Sequence, residues 1–349
     1  MLVHPSFRLN GKAYDRNALD LAAQQWTVRS DEEQQGLGHF LVDWLSDDEH
    51  IALHTSGSTG KPKEIQMPKT AMYASAVRTA AFFNLSEGDS ALLCLPIRYI
   101  AGKMMLVRAL VLGLHLDIIP PKTTLHIEKD YTFAALIPLQ ANASYDVLGR
   151  FKTVLIGGAP IPTDLRKRIS KKHKHCIETY GMTETLTHVA TRIVSDAVIP
   201  FRAMPGIRIS TDKNDCLVLE VPYVPLSPIV TQDVVRREGD DAFSLLGRRD
   251  WVINSGGMKI FPEALEEVLT PFIKFPFFFT ALPDADFGEK LVLLVEAPTT
   301  EKAAIMAIAQ QHLGANKHHV PKQVGCLDAF VRTHSGKLDR KATIKGILM

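Results

Sequence analysis

Cysteine is scarce in this sequence. Cys94, Cys176, Cys216 and Cys326 are the only four in 349 residues, and no two of them form a C-x-x-C pair. That spacing excludes a disulfide framework and a thiolate zinc site, and it points to free thiols in a reducing, cytoplasmic setting. An excess of one charge is also missing. Lys and Arg total 40 against 38 Asp and Glu, so bulk charge gives no case for a nucleic-acid or membrane surface. No apolar run reaches membrane-spanning length, and Pro120-Pro121 closes the longest candidate. The opening residues Met1-Leu2-Val3-His4-Pro5-Ser6 lack the charged and apolar regions of a secretion signal. What remains is an ordinary globular composition, 46% apolar and 22% charged, in a chain long enough for two domains.

The densest chemistry stands at His54-Thr55-Ser56-Gly57-Ser58-Thr59-Gly60-Lys61-Pro62-Lys63. The apolar run Ile51-Ala52-Leu53 leads into it as a buried strand, and apolar residues at helical spacing follow from Thr70 to Phe83. Glycines let a backbone turn its N–H groups toward a polyphosphate, hydroxyls donate to its oxygens, and lysines offset its charge. A Walker A loop is excluded, because Thr55 stands where its first glycine belongs and Pro62 follows the lysine. Taken alone, the stretch fits a phosphate loop and a polar Ser/Gly turn equally well.

Before this loop the spacing predicts helices around Leu19–Ala23 and Leu37–Trp44, packed on the edge of the core. After it, Ala91–Pro96 reads as a strand, Met104–Val111 as a helix closed by Gly113, and Leu114–Ile119 as a further strand, which together make a βαβ unit. Arg98 and Lys103 are the only charges in the loop of that unit. They are either ligand-pocket cations or solvated basic residues. Phe133–Pro138 and Thr153–Ile156 read as strands, the second running into Gly157-Gly158-Ala159-Pro160. A helix spans Thr163–Lys172, with Thr163-Asp164 as its expected cap. Lys171-Lys172-His173-Lys174-His175-Cys176 reads as a solvated helix end. Next comes Tyr180-Gly181-Met182-Thr183-Glu184-Thr185, in which hydroxyls suit phosphate and a carboxylate suits Mg²⁺. Ile207–Val221 reads as a hairpin around Asp212-Lys213-Asn214-Asp215. Asp233 is either an acceptor for a ribose diol or a buried turn aspartate. Gly247–Ile260 reads as a boundary, with a charged tetrad, a strand, a Gly256-Gly257 turn and a second strand. Pro262 opens a helix, and the remaining residues read as a small α+β unit. Ser335-Gly336-Lys337 near the end is, by itself, a solvated turn.

Taken in order, these stretches resemble the adenylate-forming superfamily of acyl- and aryl-CoA synthetases, nonribosomal peptide adenylation domains and firefly luciferase. The matching segments are Thr55–Lys63, Gly157–Pro160, Tyr180–Thr185, Gly247–Ile260 and Ser335–Lys341. Within that superfamily the compact length and the Gly-Gly-Ala-Pro and Tyr-Gly-Met-Thr-Glu-Thr forms are most similar to the short o-succinylbenzoate–CoA ligases of menaquinone synthesis. The sequence also departs from the pattern. Only about fifty residues precede the loop, so the N-terminal part is shortened relative to the family. The usual Thr-Gly-Asp is Thr231-Gln232-Asp233, Glu64 stands where glycine is frequent, and the usual histidine segment reads Ile97-Arg98-Tyr99-Ile100.

The resemblance implies an α/β fold in two parts. The first is a large N-terminal ATP- and acid-binding domain of mixed sheets and helices (1–247). A hinge at 248–251 centred on Asp250 joins it to a small mobile α+β domain (252–349). It also implies a carboxylic acid, ATP with Mg²⁺, and coenzyme A as reactants. Thr55, Ser56, Gly57, Ser58, Thr59, Gly60 and Lys63 would clasp the β- and γ-phosphates. Gly157, Gly158 and Ala159 would line the adenine, with Tyr180, Gly181 and Met182 beside it. Thr183 would touch the α-phosphate, Glu184 would hold Mg²⁺, and Asp233 and Arg248 would bind the ribose. Lys337 would be the catalytic lysine of adenylation, and Lys259 would enter for thioester formation. Arg98 and Lys103 are expected near the second carboxylate of the acid. Other expectations stay open: a different aryl or medium-chain acid, transfer to a carrier protein, a degenerate nucleotide-binding regulator, and a homodimer.

Overall fold

The computed structural model describes residues 3–54, 63–284, 288–332 and 338–348. The chain opens with a short antiparallel pair, β1 (Arg8–Leu9) and β2 (Lys12–Ala13), followed by α1 (Arg16–Trp26) and α2 (Glu32–Leu45). Each helix starts on an aspartate whose carboxylate accepts a backbone N–H of the first turn, Asp15 from Ala18 and Asp31 from Gln34, which satisfies donors the helix itself cannot pair. Leu19, Leu37, Phe40, Leu41 and Trp44 are buried in the main core, whereas Leu21 is exposed.

The expected strand before the glycine-lysine loop is β3 (His50–His54), which pairs with an unanticipated strand, β4 (Glu64–Pro68). Glu64-Ile65-Gln66-Met67 alternates polar and apolar, the period of a half-buried strand. His54 and Glu64 are register partners, so residues 55–63 connect the two strands. Then come α3 (Lys69–Phe83), β5 (Ser90–Leu93), α4 (Ile100–Leu112), β6 (His115–Ile118), β7 (Tyr131–Leu136), α5 (Pro138–Ala143), β8 (Phe151–Ile156), α6 (Thr163–Lys172) and β9 (Cys176–Gly181). Strands β5 to β9 all run parallel, and β1 joins them alongside β6. Their carboxyl ends therefore share one edge, the edge at which open α/β sheets bind ligands.

The sheet continues with antiparallel strands: β10 (His188–Ile193), β11 (Phe201–Ala203), β12 (Arg208–Thr211), β13 (Cys216–Glu220), β14 (Ile229–Arg237) and β15 (Ala242–Arg248). Among the described residues thirteen strands make this one sheet. The expected hairpin is β12–β13, its turn tied by Asp212, which accepts from the Asn214 and Cys216 N–H groups.

After Arg248 a second sheet begins: β16 (Ile253–Ser255), β17 (Met258–Ile260), α7 (Pro262–Leu269), β18 (Phe277–Asp284), β19 (Gly288–Glu296), α8 (Lys302–Leu313), β20 (Gln323–Leu327) and α9 (Arg340–Leu348). It has its own apolar core, built on Ile253, Leu265, Leu269, Phe279, Leu293, Ile305 and Val324. Helix α9 starts against the junction between the sheets. Arg340 donates to Glu266 at 2.6 Å and lies 5.5 Å over the Trp251 ring.

Two local expectations differ from the structure. Helix α6 has Pro162 at its cap position with no side-chain hydrogen bond, so Thr163-Asp164 lies inside the first turn. In the basic run after it, Lys171, Lys172 and Lys174 are exposed but His173 is buried, edge-on to Tyr145. Among the described residues no helix is long and apolar enough to cross a membrane.

Candidate active site

The carboxyl edge gathers the turns after β8 and β9. Gly157, just after β8, lies so close to β9 that a Cβ there would run into Thr179 Oγ1, and Gly158 has φ of +82°, a left-handed backbone that favours glycine. Both glycines thus have reasons inside the fold. The consequence is an open shelf, because Gly158 and Ala159 are exposed. Tyr180 and Gly181 are the last residues of β9.

Tyr180 anchors a polar chain across three strands. Its hydroxyl donates to Asp233 Oδ2 at 2.5 Å, while its ring stands edge-on to Phe243 and tilted to Phe201. Burial, and then the Asp233 charge, hold its pKa well above the ordinary tyrosine range, so it stays a donor at neutral pH. Asp233 lies in β14, not in a turn, and its register partner is Arg248 at the end of β15. Arg248 Nη1 is 3.4 Å from Asp233 Oδ1 and Nη2 is 3.1 Å from Asp250 Oδ2. One guanidinium therefore joins the strand carboxylate to the residue expected at the hinge. Sequence reasoning missed two supports of this chain. Thr231 Oγ1 accepts the Asp233 N–H at 3.1 Å, and Glu263 of α7 accepts the Arg248 N–H at 3.4 Å. An acid three residues after Lys259-Ile260 was visible, but only the fold brings it back to Arg248.

Thr183 and Glu184 form a short turn directly after β9. Both are half-buried, and neither side chain has a hydrogen-bond or ionic partner among the described residues. A half-buried carboxylate without a cation fits one ligand of Mg²⁺. That ion is usually held by one or two carboxylates and otherwise by phosphate oxygens and water.

Arg98 is exposed in the loop after β5, its guanidinium 5.0 Å over the Tyr99 ring. Lys103 is not in that loop. It lies in the first turn of α4, half-buried, with its ammonium 4.8 Å over Phe40 of α2 and its pKa lowered by burial. The expected phosphate loop from Thr55 to Pro62 and the expected catalytic Lys337 lie outside the described residues; Lys63 is exposed at the start of β4. Lys259 is exposed in β17 and lines a cavity of about 690 Å³ with Asn214, Arg236, Arg237, Arg249 and Asn254. None of Tyr180, Asp233 and Arg248 lines it.

The AMP-binding enzyme family matches residues 11–210, more than half of the chain. The chain belongs to this family. Among other AMP-binding enzymes, an acyl-CoA synthetase (AMP-forming)/AMP-acid ligase II-like protein from Dyadobacter fermentans is 32% identical, with a TM-score of 0.59 over 94% of this chain and 98% of that one. A 2-succinylbenzoate–CoA ligase of Bacillus licheniformis is 27% identical over 338 residues, covering 84% of this chain and 69% of that enzyme. The O-succinylbenzoate coenzyme A synthetase of Bacillus subtilis, in a complex with ATP and magnesium, shares the fold with a TM-score of 0.71 at 20% identity, over 84% of this chain and 69% of that one.

Proposed function

We propose that this AMP-binding enzyme is a cytoplasmic AMP-forming acid–CoA ligase whose acid is 2-succinylbenzoate, an intermediate of menaquinone synthesis. The observation that carries this reading is the pairing, at one sheet edge, of an oriented carboxylate (Asp233) with one that meets no partner among the described residues (Glu184). Asp233 accepts one hydrogen bond at each oxygen, from Tyr180 and Arg248. A carboxylate offers about four acceptor sites, so two remain for a vicinal diol, which is what a ribose presents. Glu184 and Thr183 stand one turn away with nothing to bind among the described residues.

In the first half-reaction the acid's carboxylate oxygen bonds to the α-phosphorus of ATP and pyrophosphate leaves. In the second, the thiol sulfur of coenzyme A bonds to the acyl carbon, the acyl–oxygen bond to AMP breaks, and the thiol proton is released. Negative charge crowds the phosphate centre in the first step, so fixed donors and cations are the main resource. Asp233, held by Tyr180 and Arg248, fixes the ribose. Thr183 donates to an α-phosphate oxygen, and Gly158 and Ala159 leave room for the base. Glu184 would hold Mg²⁺, which when bound neutralises phosphate charge. Residues 55–63 clasp the departing phosphates, and Lys337 bridges the acid and the α-phosphate as a point charge on a long stem. The small sheet then turns about Asp250, Lys337 withdraws, and the turn with Lys259 comes in. The cations Arg236, Arg237, Arg249 and Lys259 offer the phosphates of coenzyme A a place to bind.

ATP–pyrophosphate exchange across a panel of acids tests the substrate. Exchange with 2-succinylbenzoate followed by CoA-dependent release of AMP is expected; exchange only with other aryl or medium-chain acids would replace it. Lys337→Ala is expected to lower exchange by at least about 100-fold while largely sparing thioester formation from preformed acyl-adenylate. Equal loss of both half-reactions would sink the alternation of the small domain.

A further inference from the structure

Helix α9 begins with two cations, at the end of a helix that disfavours them. Arg340 and Lys341 fill its first turn, where the positive pole of the helix dipole lies. Lys341 is exposed, but the Arg340 side chain is only 17% exposed, so its placement needs an answer from outside the helix. Three groups supply one. Glu266 of α7 accepts from Nη2 at 2.6 Å, and the guanidinium carbon lies 5.5 Å over the Trp251 ring and 5.4 Å over the Phe278 ring. Nη1 has no acceptor among the described residues, so the ring faces stabilise the rest of the cation. Glu266 is tied down in turn, its other carboxylate oxygen accepting the Phe279 N–H at 2.8 Å. The Lys341 ammonium lies 5.8 Å over the same Trp251 ring. Trp251 directly follows Asp250, the residue expected at the hinge. Through it the start of α9 touches the connection between the two sheets, although nearly the whole small unit separates them in sequence.

The chain just before α9 is pinned as well. Asp339 donates its N–H to Val331 O at 2.8 Å, Arg332 and Leu338 form an antiparallel bridge, and the Thr343 hydroxyl accepts the Val331 N–H at 3.0 Å. Asp339 Oδ1 accepts the Ala342 N–H at 2.9 Å and so caps the helix. Glu296 of β19 holds the other arm, accepting from Phe330 N at 3.1 Å and from Arg332 Nη2 at 2.8 Å. These contacts make one stem of residues 330–332 and 338–343. Lys337 stands next to Leu338 in the chain, so the place of the stem sets the point from which that lysine must reach.

We infer that Trp251 and Arg340 are positioning residues for the adenylation half-reaction. They fasten the stem that carries Lys337 to the hinge, so that the turn about Asp250 delivers the lysine to the α-phosphate in one defined place. The inference rests on the reading above that Lys337 acts in adenylation and withdraws before thioester formation. A lysine ammonium is a point charge on a flexible chain, with no fork geometry to correct its own aim, so its precision has to come from the backbone beneath it. A misplacement of about 1 Å can cost about a hundredfold in rate. Glu266 and Phe278 fix Arg340 within the small unit. Trp251 is its one partner, among the described residues, that belongs to the connection between the sheets.

The test compares the two half-reactions in the full chain. Pyrophosphate exchange with 2-succinylbenzoate reads adenylation, and release of AMP by coenzyme A from the preformed acyl-adenylate reads thioester formation. Trp251→Leu is expected to lower kcat for exchange by about 10- to 100-fold. It should change KM for ATP and for the acid by less than about threefold, and leave thioester formation within about threefold of wild type. Trp251→Phe keeps a ring face for the guanidinium and should recover most of the loss. Arg340→Met combined with Glu266→Gln removes the charged pair together, so that no carboxylate is left buried alone, and should reproduce the pattern of Trp251→Leu. Equal loss in both half-reactions, or a loss that Trp251→Phe does not recover, would make the cluster a brace for the small sheet and overturn the inference. Exchange at the wild-type rate in Trp251→Leu would overturn it too. Lys337→Ala is the control. If it does not lose exchange selectively, the reading of Lys337 fails and the inference falls with it. If it does, while Trp251→Leu does not, the reading stands and the inference alone falls.

Discussion

Two arginines are buried on the large sheet, and the fold answers them differently. Arg166, on α6, has a side chain 2% exposed and meets Glu178 of β9 at 2.6 Å; Arg192 of β10 approaches the same carboxylate at 2.7 Å. Arg108, on α4, is as deeply buried and meets no carboxylate among the described residues. Unpaired nitrogens do not separate the two, since Arg166 also leaves Nε and Nη1 without acceptors among the described residues. The counter-charge separates them. A buried cation whose counter-charge is built in belongs to the architecture. Glu178 and Glu184 lie six positions apart on the same stretch, yet Glu178 is committed to two arginines and Glu184 is free among the described residues.

The largest effect expected from this contrast is on stability. Glu178→Gln leaves Arg166 and Arg192 buried without their shared carboxylate and should lower the unfolding free energy by about 3–5 kcal/mol, read from urea unfolding. Arg108→Met removes a cation that no carboxylate among the described residues neutralises and should change it by less than about 1 kcal/mol. Equal losses would show that Arg108 has a structural counterpart after all, and the contrast would dissolve.

Arg248 is the intermediate case, half-buried between Asp233 and Asp250. Asp233→Ala strips the acceptor from Tyr180 and from one arm of Arg248, and it should weaken ATP binding by about 10- to 100-fold in a direct titration. If Asp233 only braces the strands, the folded variant will bind ATP as wild type does and lose stability alone.

Much of this was legible in the sequence, because phosphate and ribose chemistry needs glycines, hydroxyls and carboxylates at strand ends, and those residue types stand out locally. The parallel block and the small C-terminal sheet follow from apolar runs bounded by Gly and Pro. Pairing at long range was hidden. Strand β1 has two residues and is defined by its partner β6, more than a hundred positions away, and Glu263 reaches Arg248 only through the turn into α7. Lys103 stands just before the apolar run from Met104 and so reads as loop, whereas α4 runs through it from Ile100. Arg108 did leave a signal. A lone arginine in an apolar helix with no acid three or four residues away has no local partner.

A smaller effect concerns pH. His188 in the folded chain titrates below its ordinary value of 6.5 because of burial and Arg108. As pH falls below about 6.5, the unfolded chain takes up a proton that the folded chain refuses. Stability is thus complete above that pH and declines below it, by at most about 1.4 kcal/mol per pH unit from this group. His188→Gln should flatten the slope between pH 6.5 and 5 in urea titrations. In Arg108→Met, where the neighbouring cation is gone, the slope should persist but weaken, since burial is the larger cause. A slope untouched by both variants would place the titrating group elsewhere.

The smallest expected change is at the exposed edge. Arg98 is solvated and stacked on Tyr99, where an ion pair with a ligand competes with water and salt and is worth little. Arg98→Ala should therefore alter KM for 2-succinylbenzoate by less than about threefold. A rise of about tenfold in KM would instead place recognition of the second carboxylate at the loop after β5. Salt separates the two cases independently. A carboxylate held at Arg98 would lose affinity steeply between low and physiological ionic strength, whereas one held away from solvent is screened far less.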